Sequence, residues 1–218
     1  IEIIEDKIIT ATTGSIGLSQ RYINILTRLV KQGFKKDEMK CVTSISHEVI
    51  ADFQNTPPFS SNPFQGWGLG ALLAFSIDDN FYLVEFDVTD FRPEFKNKRD
   101  LPIVSMGLGQ RFADPFLAFL WKDFLKGNEI SLSEGILITC WTLDHTLKVN
   151  YGMIGGDKNI SLLTKNSKNE VVCRYLLEEE VMHYTNHISD IMTYITDYKK
   201  EFLSLEENSS IPFPPLKK

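Results

Sequence analysis

Apolar and polar positions mark out short elements from the start of the chain. Residues 1–4 and 8–13 are β-prone runs either side of Glu5-Asp6-Lys7, which predicts a hairpin. Gly14-Ser15 stops the second arm. Ile16, Ile23, Leu26 and Val30 then fall along one helical face as far as Lys31, with Ser15 as the cap. A second helix is predicted over 46–54, and the prolines and glycines of 56–68 predict a loop. The unbroken apolar run 69–77, the turn Asp78-Asp79-Asn80 and the run 81–84 read as another hairpin. A loop over 91–101, a strand over 102–106 and a break at Gly107-Leu108-Gly109 follow. Residues 112–126 read as an aromatic-rich helix with Pro115 in its first turn. Ser131 and Glu134 have capping-box spacing and open a helix running to Val149.

Gly152, Gly155 and Gly156 interrupt the chain before a hairpin of 160–164 and 171–175. The last pattern is the longest. Leu177, Val181, Tyr184, Ile188, Ile191, Ile195, Tyr198, Phe202 and Leu205 recur at alternating steps of four and three, a heptad seam along one amphipathic helix over 177–205. Residues 206–218, with Pro212, Pro214 and Pro215, read as a flexible tail. Helix pairs alternating with strand pairs predict an α+β fold of antiparallel sheets faced by helices, and no linker divides 1–205, which reads as a single domain.

Composition narrows the class. A chain of 218 residues, 43% hydrophobic and 24% charged, has globular composition, which excludes a disordered or collagenous chain. The net charge of −6 comes with no basic stripe, which argues against a nucleic-acid partner. Three widely spaced cysteines make no disulfide framework and point to a reducing compartment, the cytoplasm. No apolar run reaches the roughly 18 residues that span a bilayer, so no membrane partner is expected. The chain opens inside a strand without an initiator Met, so its true beginning is expected upstream.

Candidate chemistry is sparse in the residues themselves. The clusters at Gly14, Gly107 and Gly152 match no phosphate-binding motif and read as strand-to-helix turns. Glu179, His183 and His187 stand at helical i, i+4, i+8 spacing, which would suit one metal ion. Such spacing arises readily on the polar flank of an amphipathic helix, and no metal site is expected there.

The order of motifs carries more. The hairpin ending at Gly14-Ser15-Ile16-Gly17 with a helix behind it resembles the corresponding part of proteasome subunits and of the bacterial HslV peptidase. Gly70-Ala71-Leu72-Leu73, on a hairpin leading to Asp87, is similar to the family's G-x-A-L-L. Val104-Ser105-Met106-Gly107-Leu108-Gly109 resembles its A-x-G-S-G junction. Ser131-Leu132-Ser133-Glu134-Gly135 resembles S-L-x-E-A, and Gly155-Gly156 resembles G-G-x-I-x-V. The likeness runs collinearly over about 1–172.

The resemblance implies a four-layer αββα sandwich of the N-terminal-nucleophile hydrolases. It implies a threonine-type peptidase chemistry with no cofactor, a peptide or protein substrate, and a homo-oligomer. In that family an N-terminal threonine attacks the amide with its own α-amine as base, helped by a lysine and an aspartate. All of these would precede Ile1. Gly14 matches the glycine whose backbone N–H binds the oxyanion, and Ile16 matches a residue lining the substrate pocket. Leu108, Tyr151 and Ile154 replace the family's supporting serine, aspartate and serine. The alternative implied is a non-catalytic scaffold or binding subunit.

Overall fold

The computed structural model describes residues 1–33, 37–55, 68–96, 102–125, 130–150 and 152–208, the side chains of 205–208 excepted. Most of the loop expected over 56–68, Tyr151, the side chain of Leu205 and residues 209–218 of the expected tail lie outside what is described, while 206–208 continue the last helix. Lys126, the expected end of the third helix, also lies outside.

Five antiparallel strands form the larger sheet in sequence order: β1 (Glu2–Ile4), β2 (Ile8–Gly14), β3 (Leu69–Ile77), β4 (Asn80–Phe86) and β5 (Pro93–Lys96). Its two tightest connections use the left-handed backbone that short hairpins demand, at Glu5 and Asp6 and again at Asp78 and Asp79. Register sorts the side chains by face. The pairs Thr10↔Leu73, Leu73↔Val84 and Ala71↔Phe86 put alternate residues on one side. That side is buried under α1 (Ile16–Gln32) and α2 (Glu38–Gln54), through Tyr22, Leu26, Val42, Ile45, Val49 and Phe53. Thr10 is the polar exception, and its hydroxyl is bonded to Leu72 O at 2.8 Å and to Tyr22 at 3.1 Å.

The opposite face looks toward a two-stranded antiparallel sheet, β6 (Ser161–Lys165) and β7 (Val171–Tyr175). β2 touches β6, and a cavity of about 570 Å³ is lined by Phe81 and Leu83 of β4 together with Leu162 and Leu163 of β6. Behind β6–β7 lie α4 (Leu132–Val149) and α5 (Glu178–Asn208), which share a core of Ile136, Cys140, Ile160, Leu162 and Ile188. α3 (Gln110–Phe119) packs on α4 through Leu117 and Ile138. The layers are therefore helix, sheet, sheet, helix, with α5 closing the chain.

Several elements differ from the sequence reading. α2 starts at Glu38, because Asp37 caps it by accepting Lys40 N–H at 2.9 Å. β5 lies inside the expected loop, where Lys96 joins Glu85 at 2.7 Å and Glu94 at 2.8 Å. No strand forms over 102–106; Ile103 packs instead against the Leu117–Leu120 cluster. α3 begins early enough to place Pro115 inside the helix, and a π-helical turn (Leu120–Phe124) ends it, closed by Leu125 N–H on Leu120 O at 2.9 Å.

The seam of α5 divides. Val181, Tyr184 and Ile191 are half-buried and Ile188 is buried, whereas every residue from Met192 to Ser204 is exposed. Among the described residues no helix is long and apolar enough to cross a membrane.

Candidate functional site

β1 pairs with β2 from Glu2↔Thr10 to Ile4↔Ile8, and β2 pairs with β3 as far as Gly14↔Leu69. Ser15 N–H donates to Gly68 O at 2.7 Å, which sets the phase of the β2–β3 ladder. Hydrogen bonding alternates along an antiparallel pair, so the N–H groups of Thr12 and Gly14 point away from β3. Gly14 sits at φ +110°, and a Cβ there would stand 1.9 Å from Gly68 O. Only glycine fits this strand end. Beside it lies a cleft of about 340 Å³ lined by Thr12, Gly14, Ile16 and Ser19, with Ile1 and Glu2 opposite. Ile16 is 76% exposed at its rim, an unusual position for so large an apolar side chain.

Thr12 also faces a second cavity, of about 620 Å³, on the inter-sheet side. Three distant segments meet there: Thr12-Thr13, the turn around Gly107-Leu108-Gly109, and Met153-Ile154-Gly155. The approach is close. A Cβ on Gly107 would lie 3.0 Å from Thr13 Oγ1, and one on Gly109 would lie 2.7 Å from Thr146 Cγ2 and 2.9 Å from Ile154 Cδ1. Leu108 is 71% exposed and lines the cavity, while Ser105 is held by the Asp114 carboxylate. α4 contributes Thr139, Thr142 and Thr146, one helical face. Thr142 Oγ1 is buried without a hydrogen-bond partner.

The thiols offer no nucleophile in this region. Burial pushes Cys140 and Cys173 up to about 11, so both stay protonated at neutral pH, and Cys41 is buried in the core of the larger sheet. Asp87, at the end of the β3–β4 hairpin, has its carboxyl lowered by hydrogen bonds from Thr89, whose N–H it accepts at 2.7 Å; its role is to shape a turn. His183 and His187 meet with Nε2 atoms 3.2 Å apart on the exposed side of α5. Glu179 does not complete them: among the described residues no group of three or more His, Cys, Asp or Glu is placed to hold a metal.

The structure thus brings together Gly14's strand end, the Gly107–Gly109 turn and the stretch before Gly156, which the sequence presented only as separate motifs. The threonines of β2 and α4 went unnoticed. Their signal was legible, since Thr139, Thr142 and Thr146 put hydroxyls at i, i+3, i+7 on one face of a helix.

No family model matches the chain, and no curated protein matches it. Among solved structures it resembles "Anbu (ancestral beta-subunit) from Yersinia bercovieri", at 12% identity and a TM-score of 0.62, over 98% of this chain and 85% of that one. The expected membership among proteasome subunits and HslV peptidases is corrected by these findings, because the likeness is to the fold of a proteasome-like relative and no family model supports more. What the chain has is a proteasome-related fold.

Proposed function

We propose that this chain uses its proteasome-related fold to hydrolyse peptide or other amide bonds, as one subunit of an assembly. Gly14 is the oxyanion donor and Ile16 part of the substrate-binding wall. One observation carries the reading: Gly14 ends β2 at φ +110°, where only glycine fits, with its N–H turned away from β3 and the exposed Ile16 beside it. A backbone N–H fixed in direction by the sheet is what stabilises an oxyanion without reorganisation.

A second reading, a non-catalytic scaffold or binding subunit, is favoured by Leu108. An exposed leucine occupies the turn where the resemblance implies a supporting serine, and it brings no hydroxyl to the cavity.

The test uses the full natural chain with a panel of fluorogenic peptide amides and a peptide aldehyde as inhibitor. Hydrolysis blocked by the aldehyde, with Ile16→Ala changing the order of preferred substrates at an unchanged melting temperature, supports the enzyme. Absence of turnover on every amide, together with no aldehyde binding, would leave the scaffold.

A further inference from the structure

The exposed side of α5 carries two imidazoles that the hydrolysis proposed above does not use. His183 and His187 stand one helical turn apart, with their Nε2 atoms 3.2 Å apart and their rings nearly perpendicular, at 87°. Both side chains are exposed, so water can reach the pair. The backbone beneath them is fixed. Ile188 is buried in the core shared with α4, Arg174 forks onto Glu180 at 2.6 and 2.8 Å, and Glu180 also accepts the Leu177 N–H at 2.8 Å. On the packed side Lys158 donates to Thr185 and is neutralised by Asp144. Charge along this stretch has one sign: residues 176–198 include Glu178, Glu179, Glu180, Asp190 and Asp197 and no lysine or arginine. Glu179 lies four residues before His183 and Asp190 three after His187, spacings that put both carboxylates on the face of the pair. Helical spacing alone does not single out these histidines; the close approach of their nitrogens and the charge around them do.

We propose that His183 and His187 of a single copy hold one borderline divalent transition ion, zinc or copper(II), through their Nε2 atoms. An ion at about 2.0–2.1 Å from two nitrogens 3.2 Å apart subtends an angle of about 100°, near the tetrahedral value that zinc takes. Neutral imidazole is the ligand these ions select, whereas calcium and magnesium demand oxygen. Among the described residues no third His, Cys, Asp or Glu is placed to join the pair, so water fills the remaining positions. The proton balance is simple. In the ion-free pair one ring donates its Nε2 proton to the other ring's Nε2; on binding, that proton passes through solvent to Nδ1 of the same ring, and both rings stay neutral. One hydrogen bond is exchanged for two metal–nitrogen bonds. The ion then spans a turn of α5 on its exposed side, opposite the apolar contacts, and favours the folded helix by mass action.

The experiment uses the full natural chain, freed of metal, and reads binding and melting rather than hydrolysis. In calorimetric titrations one zinc or copper(II) ion should bind per chain, copper(II) the more tightly, and zinc should raise the melting temperature; calcium and magnesium should do neither. His183→Ala and His187→Ala, both at exposed positions, should each weaken zinc binding by on the order of a hundredfold, because the second nitrogen is no longer held beside the first. Each should also abolish the rise in melting temperature, while His47→Gln and His145→Gln should leave binding and the rise as they are. Bound copper(II) should show two nitrogen ligands by electron paramagnetic resonance in wild type and one in either alanine variant. Absence of zinc binding to wild type, or zinc binding that survives in His183→Ala/His187→Ala, overturns the proposal. Half an ion per chain with a doubled mass overturns the single-copy site, because the ion would then bridge two chains.

Discussion

Gly14 and Gly17 stand three residues apart and differ in what the backbone asks of them. At Gly14 a methyl group would collide with Gly68 O in a left-handed backbone, so Gly14→Ala is expected to destabilise the fold by on the order of 3 kcal/mol. Gly17 is helical and has nothing within 4 Å of an added Cβ, so Gly17→Ala should stabilise by up to about 1 kcal/mol. Opposite shifts in the urea midpoint check the pair. Glu180 gives a residue-scale prediction in pH. Hydrogen bonds from Arg174, at 2.6 and 2.8 Å, hold its carboxyl down at about 2 from an ordinary 4.5, and the Leu177 N–H adds a third. A carboxyl depressed on folding contributes stability that is full above about 4.5 and is lost as pH falls toward about 2. Melts across that window should show a loss in wild type that Glu180→Gln lacks; parallel curves would remove the clamp from the account.

Among the elements, legibility followed periodicity. α4 was readable to its ends, since the Ser131–Glu134 reciprocal cap and the fall in apolar content at Val149 are local signals. β5 was not, because Pro93 and the charges of Glu94 and Lys96 look like loop until Glu85 on the next strand pairs with Lys96. The strand expected over 102–106 does not form: its residues are half-buried, Ile103 packs against Leu117 and Leu120, Met106 lies over Gly70 of β3, and among the described residues no strand pairs with them. The helix layer behind the smaller sheet is held by Lys158, which forms an ion pair with Asp144 of α4 and donates to Thr185 of α5 at 3.0 Å. Both partners of the ion pair are largely buried. Asp144→Ala leaves that ammonium without its counter-charge and should cost on the order of 3 kcal/mol. Reversal by a second change, Lys158→Met, would show that the penalty is the orphaned charge rather than lost packing.

At the scale of the whole molecule, five strands face two among the described residues. The alternation of helix and strand pairs predicts antiparallel sheets faced by helices, and the four-layer order is what the resemblance implies; the gap between the sheets is in neither, because it depends on how β6–β7 sits against β4. Among the described residues β6 pairs only with β7, and Ser161 Oγ at its start is buried without a partner next to the 570 Å³ cavity. An open strand edge beside apolar walls invites further pairing. Residues 1–218 produced by themselves should therefore bind a hydrophobic dye in the folded state and aggregate as concentration rises. A dye-silent sample that stays monodisperse would mean the inter-sheet space is closed. The convergence of Gly14, Gly107 and Gly155 on one region was hidden in the same way, since their proximity is created by sheet register and not by spacing along the chain.

The free arm of α5 also bears on how long a copy survives. Lys199 and Lys200 sit on a helix that nothing covers, in a stretch expected to fray. The arm therefore presents a protease with an accessible, unwinding segment. Limited digestion with trypsin should then cut first after Lys199 or Lys200 and leave the layered body intact, so the end of the helix sets how quickly a copy is trimmed.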